Sequence, residues 1–148
     1  MFVVQLPRYQ YKTNNSLLDY EFISEGPKGS IKKIIRFTQI RLSVFNIGFG
    51  DLDEETGEIS DIVVTNNNDS RKVLATVAAT IHDFTIQYPG VWIIAKGSTL
   101  SRSRLYRIGI TNHWKEISND FEVYGLTEEE WEPFEQHRNY DAFLIRRK

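Results

Sequence analysis

The chain has 148 residues, 41% of them hydrophobic and 13% aromatic, with a formal net charge of −2 and no cysteine. Without cysteine there are no disulfides, thiolate metal centres or cysteine nucleophiles, and the near-balanced charge excludes a global field that would draw the protein onto nucleic acid or anionic lipid. The aromatic content argues against disorder, and no apolar run approaches the ~20 residues of a membrane-spanning helix.

The opening MFVVQLPRYQYK lacks the basic start and long apolar core of a signal peptide. The expectation is a cytoplasmic, single-domain protein over residues 1–148. Leu18 to Ile23 alternates, with Leu18, Tyr20 and Phe22 on one face. Gly26-Pro27-Lys28-Gly29 reads as a turn. Ile31 to Phe37 sets Ile31, Ile35 and Phe37 against Lys32 and Arg36, and Leu42 to Phe49 sets Phe45, Ile47 and Phe49 on one face. Asp51 to Ser60 is polar and acidic with Thr56-Gly57 at its tip, and Ile62-Val63-Val64 returns as strand. Two successive hairpins predict an antiparallel meander.

The period then changes. Asn66 to Ser70 is loop and helix cap, with Asp69 or Ser70 at the N-cap. Val73, Val77, Ile81, Phe84 and Tyr88 recur at steps of three and four, which predicts a helix of about 18 residues stopped by Tyr88-Pro89-Gly90. Val91 to Lys96 reads as a buried strand. A second helix is expected from Leu100 to about Ser118, with Tyr106, Ile110, Trp114 and Ile117 inward. Phe121 to Tyr124 is a strand. Thr127-Glu128-Glu129-Glu130 reads as a capping box, with Leu126 and Trp131 as its staple, opening a short helix limited by Pro133. Tyr140 to Ile145 is the last strand, and Arg146-Arg147-Lys148 reads as a solvated tail. The fold class expected is α+β: a mainly antiparallel sheet of about six to seven strands, two main helices packed on one face, and a short third helix.

The segment VWIIAKGSTLSRSRLYR, residues 91–107, carries the chemistry. An apolar strand stops at Gly97-Ser98-Thr99, and the helix that follows brings Arg102, Arg104 and Arg107. A helix start offers unpaired N–H donors and about half a positive charge, and arginine adds charge-assisted bonds to phosphate or carboxylate. Cations there are themselves opposed by the dipole, so the three arginines need compensation. A bound anion would provide it. So would carboxylates of the chain, for which the acidic loop Asp51, Asp53, Glu54, Glu55, Glu58 and Asp61 is a source. Arg102 and Arg104 point to different faces, so at most two arginines converge; Arg104 and Arg107, three apart, are the pair expected.

Gly97-Ser98-Thr99 followed by Arg102 and Arg104-Leu105-Tyr106, after a strand and a Tyr-Pro turn, resembles a small uncharacterised bacterial family of about this length. Its members share G-S-T-x-x-R-x-R-L-Y. The resemblance implies a single-domain bacterial cytosolic protein, a domain of unknown function, and transfers no catalytic residue.

Other motifs lead nowhere. G-x-x-x-x-G-K-[ST] and G-x-G-x-x-G are absent, and the acidic loop has Thr56 and Ile62 where a calcium loop needs Gly and Glu. Ser30-x-x-Lys33 stands alone in a strand, and His82, His113 and His137 show no metal spacing. No cofactor is expected. An enzyme ranks third, because no base lies near Ser98 or Thr99 in sequence. Two readings lead. One is a binding domain for a phosphorylated or carboxylate small molecule at Gly97, Ser98, Thr99, Arg102, Arg104 and Arg107. The other is a protein-interaction module in which that segment is purely structural and an apolar patch or strand edge meets a protein partner.

Overall fold

The computed structural model describes residues 8–60, 66–97, 100–128 and 130–148. It is an α+β protein, with three helices and one eight-stranded sheet among the described residues, in spatial order β1-β2-β3-β4-β5-β8-β6-β7. The strands are β1 (Lys12–Thr13), β2 (Asp19–Gly26), β3 (Gly29–Arg41), β4 (Val44–Asp51), β5 (Trp92–Ala95), β6 (Phe121–Leu126), β7 (Trp131–Pro133) and β8 (Ala142–Arg147). The helices are α1 (Ser70–Gln87), α2 (Leu100–Asn112) and α3 (Trp114–Asp120). Pairing is mostly antiparallel; β4 and β5 run parallel, with Val44 opposite Trp92. The described residues hold eight strands, against about six to seven expected. The chain divides into two compact units, one of Met1–Phe37 and Gly48–Gln87, the other of Thr38–Ile47 and Tyr88–Lys148.

In the first unit, β2 and β3 form a hairpin closed by Pro27-Lys28, with Tyr20 opposite Ile35 and Phe22 opposite Lys33. Alternation buries Tyr20 and Phe22 as expected, and Ser24 with them. The Asn67 side chain, 1% exposed, ties the turn down: its Nδ2 donates to the Gly29 carbonyl at 2.8 Å and its Oδ1 accepts the Lys28 N–H at 2.8 Å. Gly26 is required by that closeness, since a Cβ there would lie 2.1 Å from the Asn67 carbonyl oxygen. α1 starts and stops where its signals predict. Its buried face is Val73, Thr76, Val77, Thr80 and Phe84, and Phe84 stacks on Phe37 with ring centroids 4.0 Å apart. The acidic loop keeps its predicted tip, with Gly57 at φ 73° and its N–H donating to the Asp53 carbonyl. The strand expected at Ile62-Val63-Val64 and the acidic residue Asp61 lie outside the described residues.

In the second unit, β8 lies between β5 and β6, with Ile145 opposite both Ile93 and Val123. One face carries buried Ile93, Ala95, Phe121, Val123, Phe143 and Ile145. Trp114 of α3 meets Phe134, and Phe134 meets Phe143. Gly125 allows Tyr140 onto the sheet; a Cβ would stand 2.3 Å from its ring. The opposite face holds half-exposed Trp92, Ile94, Glu122, Tyr124, Leu144 and Arg146.

Three expectations are corrected. The second helix is two, broken at His113, whose φ of −120° and ψ of 22° leave the helical region after the weak formers Thr111 and Asn112. The short third helix is therefore α3, not a helix after Thr127. Thr127 to Glu130 instead turns β6 into β7: the Thr127 N–H and hydroxyl both donate to the Glu130 carbonyl, and Leu126 pairs with Trp131 as strand. Glu129 lies outside the described residues. Pairing of β6 along β8 out to Ala142 overrides the capping pattern. Finally, Arg146 and Arg147 are no tail. They belong to β8, with Arg146 ion-paired to Glu122 at 3.0 Å and its guanidinium 4.6 Å from the Trp92 ring centre, and with Arg147 over Phe121.

Candidate functional site

β5 is apolar on its buried side and delivers the chain to Gly97, where the helix pattern begins. Gly97 is buried, and its N–H donates to the Oγ of Ser103 at 3.2 Å. Ser103 lies one turn into α2 and is 7% exposed. The helix thus reaches back with a hydroxyl to hold the end of the strand, and one amide at this corner is satisfied from within. Ser98 and Thr99 lie outside the described residues. Arg102 lies in α2, and its side chain lies outside them too.

Arg104 is exposed and Arg107 half-buried. Neither forms an ion pair among the described residues, whereas Arg36, Arg138 and Arg146 each hold a carboxylate. The acidic loop is engaged elsewhere. Glu54 pairs with Lys32, Glu58 with Arg36 and Asp51 with Lys33, all three cations coming from β3. Asp53 turns inward to accept the N–H groups of Glu55 and Thr56. The structure therefore sets Arg104 and Arg107 on one helix at a spacing of three, with Gly97 buried at the strand end before it.

The sequence reading passes over two features. Lys33 and Asp51 form a buried ion pair, side chains 3% and 10% exposed, beside an open groove of about 670 Å³. Ile23, Ile31 and Leu52 give that groove apolar walls, and Asp51, Asp53 and Glu54 give it acidic ones. The second feature is on α2 itself. Leu100 is 86% exposed and Ile108 38%, so large aliphatic side chains flank Arg104 on the solvent side. The signal was present in the spacing of Leu100, Arg104 and Ile108, four apart.

Among the described residues no group of three or more potential ligands could hold a metal ion, and no helix is long and apolar enough to cross a membrane. No curated protein and no solved structure matches the chain. A family model does match, over residues 5–148, and the chain belongs to that family of unknown function, DUF6934.

Proposed function

We propose that this chain is a small cytoplasmic binding domain that accepts an anionic group, phosphate or carboxylate, where β5 feeds α2, with Arg104 and Arg107 as its cations. The carrying observation is that these two guanidinium groups meet no carboxylate among the described residues, while Lys32, Lys33 and Arg36 on β3 and Arg146 on β8 do. Arginine forms charge-assisted, often bidentate bonds to phosphate and carboxylate, and residues three apart on a helix are neighbours, so Arg104 and Arg107 can share one such group. Gly97, its N–H engaged by Ser103, shapes the corner and donates nothing to the ligand. Titration of inorganic phosphate followed by NMR tests the reading. Shifts at the Arg104 and Arg107 side chains and at the backbone amides of α2 are expected, the amide shifts being lost in Arg104→Ala/Arg107→Ala; unmoved resonances at millimolar phosphate overturn it.

A second reading, a protein-interaction module, is favoured by Leu100 and Ile108, which are exposed on the same helix face as Arg104. Isolated exposed aliphatics are ordinary, but two of them bracketing a cation that meets no carboxylate among the described residues make a mixed surface of the kind protein partners use.

A further inference from the structure

Two patches of the second unit complement each other in charge. On α2, Leu100, Arg104 and Ile108 share one face, with Arg107 beside them, and neither arginine meets a carboxylate among the described residues. At the turn from β6 to β7, Glu128 and Glu130 are exposed next to Trp131, itself 39% exposed, and neither carboxylate meets a cation among the described residues. One patch is basic with aliphatic anchors. The other is acidic with an aromatic anchor. We infer that they bind each other between two copies of this chain, α2 of each copy lying against the β6–β7 turn of the other. The inference rests on the reading that Arg104 and Arg107 recognise anions, and it names the anion: the carboxylates of a second copy.

A two-fold pairing uses each contact twice, so both arginine pairs and both glutamate pairs are satisfied in one dimer. Trp131 supplies the kind of anchor that concentrates binding energy, set beside the arginines opposite it. The face of α2, about 20 Å long and ~10 Å wide, is small even when used twice. The dimer therefore belongs at the low end of interface size, exchanging readily and weakened by salt.

Sedimentation velocity of the full chain, across concentration and at low and high salt, reads this directly. Wild type is expected to move from 17.3 kDa toward twice that mass at low salt and to return at high salt. Arg104→Glu/Arg107→Glu and Glu128→Arg/Glu130→Arg should each weaken self-association by about tenfold or more. Mixing the two variants should restore a dimer, because every contact in the mixed pair is again between opposite charges; that rescue also shows both variants are folded. A wild type that stays monomeric at millimolar concentration overturns the inference, and so does a dimer unmoved by either double substitution. Phosphate shifts at Arg104 and Arg107 on a monomeric wild type would end the self-association while the anion reading stood. A monomeric wild type with no phosphate shifts would end both.

Discussion

Lys33 sits in the middle of β3 with 2% of its surface exposed, its ammonium on the Asp51 carboxylate and 5.8 Å from the Phe49 ring centre. Taking an ammonium out of water costs several kcal/mol, and only a well-placed counter-charge offsets it. The register supplies that charge: the Leu52 N–H donates to the Lys32 carbonyl at 2.9 Å, which sets the end of β4 beside Lys33. Asp51→Ala should therefore cost about 3 kcal/mol or more, while Lys33→Met/Asp51→Leu, which removes both charges, should cost far less or even stabilise. Urea unfolding midpoints of the two variants check this; equal losses would mean the charge itself is not what matters at this position. The period of β3 puts Lys33 in a row with Ile31 and Ile35, facing in, while its charge argues for facing out. The carboxylate that resolves the conflict is 18 residues away in sequence, beyond the reach of any local pattern.

At the scale of the element, α1 was legible because its stripe, cap and proline stop agree with one another. Its threonines were not. Thr76 and Thr80 are fully buried, and each hydroxyl donates back to a carbonyl of its own helix, Lys72 for Thr76 and Val77 for Thr80, both at 2.7 Å. A hydroxyl satisfied this way behaves as core, which a hydropathy reading misses. The two differ in one respect: the oxygen of Thr76 also accepts the Tyr9 N–H at 2.9 Å. Thr76→Val should strand that amide and cost about 1–3 kcal/mol, whereas Thr80→Val should stay within about 1 kcal/mol of wild type. Thermal unfolding of both variants checks the contrast. The candidate site is legible to the same degree and no further. Gly97, Arg104 and Arg107 fall on the elements the pattern implied. The β6–β7 turn escaped because Thr127 to Glu130 satisfies the local rule for a helix start while β8, arriving from the end of the chain, makes the same residues a hairpin.

For the whole molecule the sheet must end somewhere, and both ends are short. β1 has two residues, and β7 has three, the last of them Pro133, which has no N–H to offer a further strand. β1 covers only Tyr20 and Glu21 of β2, leaving the outer backbone of Glu25 to be closed by other means. Tyr9 closes it. Its hydroxyl accepts the Glu25 N–H at 3.0 Å and lies 3.2 Å from the Glu25 carbonyl, while donating to Asp69 at 2.6 Å. Ser24 donates to the same Asp69 oxygen at 2.5 Å, so a hydroxyl at the sheet edge, a buried serine and the start of α1 share one carboxylate. Tyr9→Phe keeps the ring, stacked 5.4 Å from Phe22, and removes only the hydroxyl. It should leave the Glu25 amide unpaired, speed its hydrogen exchange by about tenfold or more, and cost about 1–3 kcal/mol. Burial, then the bond to Asp69, raise the Tyr9 hydroxyl above its ordinary 10.0. The neutral phenol is thus favoured by folding, and its contribution is complete below that ordinary value and lost as pH climbs through the raised one. The stability gap between wild type and Tyr9→Phe should accordingly hold across neutral pH and close only on the strongly alkaline side. A gap that vanished near neutrality, or a Glu25 amide unchanged in exchange, would show that this edge is sealed by something other than Tyr9.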